Sequence, residues 1–524
     1  MVLLRLAACL RVRALIPCVA VCVALGGALD TAAQTQAPSY GTGSSVVAEP
    51  AQPGAPSEGT GRQQPVPVSG LIGAAVPAGV ADAMRAAALG PHEYGVAVVP
   101  LDGGAPLVWH NAEVAFNPAS TMKLVTTHAA LSLLGPNFRW RTQIMMRGQL
   151  TGDVLQGDLV LQGGGDPKFV IEDLTELIMR LRANGLREIR GNLVVDDSLY
   201  DVGDAAVEAF DGDRSQPYNV RPSAALMNFK ATRVSVRPQT GGLAVDLDPP
   251  LAVPIVDEVK LARGGCRFGI AGLSIREVGP EDAPTIRVAG QYSPACGEQS
   301  TMVAVLNHRQ FIHGFFASAW QAAGGVWEGR TVIERRIEPN LPVLVRWDSP
   351  RTLADVVKDI NKYSNNVMAR QVLLHTSADP QRRRPATLER ARATLNAWLE
   401  KRGLRTPEIV IDNGSGLSRR ERISPASLAR LLVDASRSPH APIYIESLPV
   451  VGVDGTMKSR LKSDPVAGNA WIKTGSLNDV RSIAGYVDAA SGRRFAVVML
   501  INGPRAQSSG AAQDALLRWV YSAN

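Results

Sequence analysis

Asn117-Pro118-Ala119-Ser120-Thr121-Met122-Lys123-Leu124-Val125, followed by an apolar run to Leu134, is the stretch whose reading decides the fold. It reads as the start of a helix. Asn117 is a good N-cap, and Pro118 suits the first helical position, where no N–H is needed. Ser120 then falls in the first turn, with Lys123 one turn on along the same face, because residues three apart are neighbours on a helix. A hydroxyl is a weak nucleophile until a neighbour takes its proton. A lysine does this when burial or a second cation pulls its pKa down. The helix N-terminus adds free N–H groups and positive potential. One turn of helix therefore carries a nucleophile, its base and part of an oxyanion site. Alone the pattern is weak, because Ser459 and Lys462 repeat the spacing. A solvated helix face is its commoner meaning.

The chain has 524 residues, 45% hydrophobic and 20% charged, which fits a soluble globular bulk of about two to four domains. The net charge of +7 is modest and spread out. No dense Lys/Arg block is interleaved with aromatics, so nucleic acid is not read as a partner. Residues 1–33 read as a secretory signal peptide. Arg5, Arg11 and Arg13 accompany an apolar stretch over 14–25 that is too short to span a bilayer, and Thr31-Ala32-Ala33 offer a cleavage site. An uncleaved membrane anchor is the alternative. A lipoprotein reading at Cys9 is discounted, because almost no apolar run precedes it. The leader implies export to the periplasm, with at most peripheral membrane contact. Residues 34–75, rich in Gln, Pro, Gly, Ser and Ala, read as a disordered linker. Cys9, Cys18 and Cys22 leave with the signal, so Cys266 and Cys296 remain. In an oxidising compartment they read as one disulfide, with a pair of buried free thiols as the alternative.

Folded structure is expected from about Val76. Residues 93–101 and 106–110 read as a hairpin over Asp102-Gly103-Gly104. Over 142–341 short β-like runs dominate (143–147, 158–162, 191–196, 233–237 and 285–289), with one helix at 171–183. This reads as a β-rich insertion of one or two domains that splits a catalytic domain into 76–141 and 342–524. Helical patterns return at 352–363, 367–375, 385–401 and 424–436, the last with Ser424 as cap and Pro425 at its first position. Strands at 483–488 and 494–501 and a helix over 507–521 close the chain. The expected fold is α/β in the α+β sense. The early hairpin and late strands share one antiparallel sheet, with the Ser120 helix and the last helix packed on it.

Three elements line up in order: Ser120-x-x-Lys123, Ser364-x-Asn366 and Lys473-Thr474-Gly475. Ser476-Leu477-Asn478 also fits the second pattern, but Ser364 lies between two helices, where a loop points side chains into a cleft. The third sits on a β-like run whose glycine lets a substrate backbone approach. The ordered set is far more specific than any member. It resembles the serine penicillin-recognising enzymes. The long insertion between the first two elements resembles the penicillin-binding protein 4 type, the D-alanyl-D-alanine carboxypeptidase/endopeptidase family. Gly163-Gly164-Gly165-Asp166-Pro167, Pro222-Ser223-Ala224 near Asn228-Phe229, residues 412–418, and Leu448-Pro449 with Val453-Asp454-Gly455-Thr456 extend the likeness over about 76–522. The resemblance implies a β-lactamase/transpeptidase-like catalytic domain and assigns roles. Ser120 is the acylated nucleophile and Lys123 its base. Ser364 relays a proton to the leaving amine, and Asn366 binds the substrate peptide. Lys473 supplies a positive field that also lowers the pKa of Lys123. Thr474 meets the terminal carboxylate, beside Gly475, and the N–H groups of Ser120 and Ser476 form the oxyanion hole. The implied partners are peptidoglycan stem peptides, with β-lactams as covalent inhibitors; no cofactor is implied, and a homo-oligomer stays open.

Neighbouring classes fit less well. Class A β-lactamases hold a glutamate four residues before an asparagine to activate water. The nearest look-alike here is Leu395-Asn396, with Arg392 four positions before Asn396. No Tyr-x-Asn replaces the Ser364 element, against class C β-lactamases and esterases. Seven histidines are scattered without zinc spacing, so no metal site is expected. Gly163 to Asp166 lacks the Lys-Ser or Lys-Thr of a phosphate loop. Asp412 and Ser415 either border the cleft or form a structural tight turn. A non-catalytic wall-binding scaffold is the rival reading from another class, although a dead scaffold has no physical need of both lysines and both serines. A D-aminopeptidase or esterase is the weaker enzymatic alternative.

Overall fold

The computed structural model describes residues 75–203, 209–335, 337–338 and 340–524. The signal-peptide reading (1–33) and all but the last residue of the linker reading (34–75) lie outside the described residues. The catalytic sheet has five antiparallel strands: β1 (Tyr94–Pro100), β2 (Val108–His110), β3 (Ala470–Leu477), β4 (Val480–Asp488) and β5 (Arg494–Asn502), in the order β3-β4-β5-β1-β2. The early and late parts of the described chain meet here, because β1 pairs with β5 along its whole length, from Tyr94 opposite Ile501 to Pro100 opposite Phe495.

Side chains alternate across a strand, so each strand feeds two layers. Val96, Val98, Ile483, Val487, Val497 and Met499 pack against helix α1 (Ala78–Ala86) and the last helix (Gly510–Tyr521). Ala97, Ala484, Tyr486, Ala496, Val498 and Leu500 share a core with helix α2 (Lys123–Leu134) and with the helices of the later half. The Ser120 helix and the last helix therefore cover opposite faces, and α1 was not anticipated. Helix α2 is buried all round from Lys123 to Leu131, as a helix at the centre of a domain must be.

Between α2 and the later helices the chain builds a seven-stranded mixed sheet and two three-stranded sheets. The strand that opens this region, Arg141–Thr151, pairs with the strand that closes it, Val343–Asp348, with Arg141 opposite Asp348. Entry and exit thus lie side by side, which lets so long an excursion leave the catalytic sheet undisturbed. The expected helix lies at Ile171–Ala183. A second, His308–Ala322, was missed; it buries Phe311, Phe315, Phe316 and Trp320 in one core with Leu174, Leu177 and Leu181. Cys266 and Cys296 form a disulfide with Cα atoms 4.7 Å apart. Among the described residues no helix is long and apolar enough to cross a membrane.

Candidate active site

Ser120 does not sit in a regular first turn. Residues Ala119–Met122 form a 3₁₀ turn, and α2 begins only at Lys123. Pro118, not Asn117, holds the cap position of that turn, but Asn117 braces it from one residue earlier: its Oδ1 accepts from Ala119 N at 2.9 Å. Its Nδ2 donates to Ser418 O at 2.9 Å, and its backbone N–H and C=O exchange hydrogen bonds of 2.7 and 3.0 Å with the side chain of Asn502. Ala119 is held at φ +45°, a left-handed conformation that residues with a Cβ avoid. Tight packing explains why it persists. A Cβ on Gly416 would fall 1.9 Å from Ala119 O, so the 412–418 turn is pressed against the nucleophile turn. Ala119, Thr121, Met122 and Lys123 are buried as a result, and Ser120 alone of this run is part exposed.

The second element lies between α3 (Leu353–Tyr363) and α4 (Asn366–His375). Ser364 ends α3 in the left-handed conformation, φ +57°. Asn365 caps α4 by accepting from Met368 N at 3.0 Å, which leaves Ser364 and Asn366 to face the cleft. The third element is the edge strand β3. A Cβ on Gly475 would lie 2.8 Å from both Ser120 N and Pro118 O, so only glycine lets β3 approach the nucleophile turn this closely.

Two lysines join the three elements. Lys123 Nζ donates to Ser120 Oγ at 2.9 Å, to Asn366 Oδ1 at 2.6 Å and to the Ser415 carbonyl. Lys473 Nζ donates to Ser364 Oγ at 2.9 Å and to Thr474 O at 2.7 Å. Both are 0% exposed. Neither forms an ion pair with a carboxylate among the described residues. Burial, then the charge of Lys473, holds Lys123 well below the usual lysine value of 10.5. Burial brings Lys473 down to about 7. Unpaired buried ammonium groups give up protons readily, so this pocket can hold a neutral amine beside a hydroxyl.

Thr474 Oγ1 donates to Thr456 Oγ1 at 2.8 Å, and Ser476 Oγ donates to Gln507 Oε1 at 3.1 Å. The turn carrying Thr456 is tied down by Lys362, which donates to both Asp454 oxygens at 2.9 and 2.7 Å. A cavity of about 170 Å³ beside Thr474, Gly475 and Ser476 is lined also by Arg460 and Arg481. A second, of about 590 Å³, lies beyond the 412–418 turn among Arg370, Arg392, Asn413 and Arg419. The sequence reading missed Thr456 as a neighbour and the Ser415 carbonyl as a partner of Lys123. The run 412–418 is both a tight turn and a border of the cleft, since Asn413 Oδ1 closes it by accepting from Ser415 N at 3.0 Å.

An antiparallel sheet between helical layers, with a hydroxyl and a buried lysine one turn apart at its edge, defines the penicillin-binding and transpeptidase-like class of serine enzymes. The chain belongs to the D-Ala-D-Ala carboxypeptidase 3 (S13) family, whose profile matches residues 76–522. It is 27% identical over 407 residues to the D-alanyl-D-alanine carboxypeptidase DacB of Haemophilus influenzae, covering 75% of this chain and 82% of that protein. It is 28% identical over 444 residues to the D-alanyl-D-alanine carboxypeptidase of an Actinomadura species, covering 80% of each. The crystal structure of penicillin-binding protein 4 from H. influenzae superposes with a TM-score of 0.71 at 22% identity, covering 85% of this chain and 99% of that one. Family membership makes the protein a serine-type D-alanyl-D-alanine carboxypeptidase.

Proposed function

We propose that Ser120 is the acylated nucleophile of this carboxypeptidase, and that the same site cuts D-alanyl cross-links between peptidoglycan stem peptides. The observation that carries this is Lys123 Nζ, 2.9 Å from Ser120 Oγ with burial favouring its neutral form. Neutral Lys123 takes the Ser120 proton as the oxygen attacks the carbonyl of the penultimate D-alanine. The N–H groups of Ser120 and Ser476 receive the oxyanion, each donor worth ~3–4 kcal/mol in the transition state. Ser364, hydrogen-bonded to Lys473, passes a proton to the departing amine. Asn366 keeps its Nδ2 for the substrate peptide, because its Oδ1 is occupied by Lys123. Thr474 turns its one hydroxyl proton from Thr456 Oγ1 to the terminal carboxylate. Water then hydrolyses the ester on Ser120. The leaving amine sets the outcome: D-alanine makes the step a carboxypeptidase reaction, a neighbouring stem peptide makes it an endopeptidase reaction.

A β-lactam acylates Ser120 by the same steps and leaves slowly, since the nearest sequence look-alike of the class A water-activating motif, Leu395-Asn396, has Arg392 and not a glutamate four residues before Asn396. The Haemophilus penicillin-binding protein 4 has been crystallised with a β-lactam. The leader-like residues 1–33 and the Cys266–Cys296 disulfide support action in the periplasm.

The test is release of D-alanine from an acyl-D-alanyl-D-alanine tripeptide, beside cleavage of a cross-linked muropeptide dimer. The wild type is expected to do both and Ser120→Ala neither. Release by Ser120→Ala at the wild-type rate removes Ser120 from its role. Turnover of the tripeptide alone restricts the enzyme to carboxypeptidase action.

A further inference from the structure

Glu421 lies next to the catalytic turn and has no part in the steps above. It is 0% exposed. Its Oε1 accepts from three successive backbone N–H groups, those of Asp412 at 3.3 Å, Asn413 at 3.0 Å and Gly414 at 2.7 Å. Its Oε2 takes no hydrogen bond among the described residues. The same turn is gripped from its other side by α2. Thr126 Oγ1 donates to Gly414 O at 2.7 Å, and Lys123 Nζ donates to the Ser415 carbonyl. There is no slack, because a Cβ on Gly414 would fall 2.7 Å from Thr126 Oγ1. The N–H of Gly414 thus points at a carboxyl while the C=O of the next residue points at the catalytic amine.

The charges around Glu421 are unequal. Lys123 approaches from α2, donating to the Ser415 carbonyl one residue past the Gly414 N–H that Glu421 holds. Arg370 faces it from α4; that guanidinium donates to the carbonyls of Val220 at 3.2 Å and Tyr218, and has no carboxylate partner among the described residues. On its own turn stands Asp412, already bound to Arg392 and near Arg420. Glu421 is therefore a buried carboxyl set against cations that lack an ion-pair partner among the described residues.

We propose that Glu421 is a positioning residue for Lys123, in that it fixes the turn carrying the Ser415 carbonyl and places a negative charge behind the turn that holds the catalytic amine. This rests on the reading of Ser120 and Lys123 above. Burial pushes Glu421 up to about 7, and its ionised form raises Lys123 against the lowering effects of burial and Lys473. An amine kept from falling too far stays basic enough to draw the proton from Ser120 Oγ.

The experiment is the rate of acylation by a fluorescent penicillin between pH 5 and 9, on wild type, Glu421→Gln and Glu421→Asp. Glutamine keeps an Oε1 acceptor for the three amides and removes the charge. The acid limb is expected to move down by ~1 pH unit, so that at the wild-type midpoint the variant runs near its own plateau. Its plateau is expected to be lower, from the weaker base. A Glu421→Gln limb that superimposes on the wild type, whatever its melting temperature, overturns the proposal. Should that variant not fold, Glu421→Asp carries the test. It keeps the charge while its carboxyl withdraws from the amides, so its rate falls and its limb stays; a limb displaced as far as ~1 unit overturns the proposal. Failure of the wild type itself to acylate at any pH overturns the Ser120 reading instead, and is read from the wild-type arm alone.

Discussion

At Lys123 and Lys473, burial with no carboxylate partner among the described residues makes protonation, rather than hydrogen bonding, the quantity the pocket controls. The first expectation concerns Lys473. Its charge lowers Lys123, so Lys473→Ala lets the Lys123 pKa rise toward 10.5 and moves the acid limb of penicillin acylation to higher pH. Stopped-flow acylation across the pH range reads this; an unmoved limb means that the two amines do not interact. The second concerns Lys123 itself. Lys123→Met removes the proposed base while filling the same space, so acylation falls by about 10²–10⁴-fold with the melting temperature held or raised. The residues that do the proposed chemistry were legible because each rides on a short local signal. Ser120 and Lys123 are one turn apart, Ser364 follows a helical pattern, and Lys473 precedes a glycine. The Ser415 carbonyl and Glu421 were not. A backbone carbonyl has no sequence signature, and a glutamate reads as solvated until a turn presents three N–H groups to it.

Among the elements, strand β3 and the 412–418 turn matter most, because both press backbone against the nucleophile turn. Gly475→Ala puts a methyl 2.3 Å from Ser482 Oγ and 2.8 Å from Ser120 N. It is expected to abolish acylation at a modest loss of stability, since β3 is an edge strand that can shift outward. Mass spectrometry with penicillin, beside a thermal melt, separates the two effects. Gly416→Ala is the contrasting case. Gly416 has φ +80° and faces Ala119 O at 1.9 Å from the missing Cβ, so the change is expected to destabilise the fold by more than ~2 kcal/mol by denaturant titration. Elements were legible where periodicity was clean, as at Ile171–Ala183. The helix His308–Ala322 was missed because its four large aromatics look β-like in a region of strands, although Asn307 with Gln310 offered a capping box. The nucleophile turn was expected to be regular α-helix. Its 3₁₀ geometry follows from Gly416 pressing on Ala119 and from Asn502 gripping Asn117, residues hundreds of positions away in the chain.

Over the whole molecule, the catalytic sheet is closed by the two ends of the described chain, and the region between Arg141 and Asp348 enters and leaves through one strand pair and packs on the later helices through Tyr200, Val220 and Ser223. The disulfide lies within that region and closes a 30-residue separation. Cys266→Ala with Cys296→Ala is therefore expected to lower stability by ~2–4 kcal/mol and leave the acylation rate within about twofold, because the change is remote from Ser120. Acylation that fails in this variant while β1 to β5 stay folded would tie the outer sheets to the chemistry. The central claim is that Ser120, with Lys123 as base, forms an ester with substrate or β-lactam. Intact mass after incubation with benzylpenicillin, on wild type and Ser120→Ala, tests it most directly. The expected result is a stable one-to-one adduct on the wild type and none on the variant; a folded wild type that keeps its unmodified mass, or an adduct that survives Ser120→Ala, contradicts it.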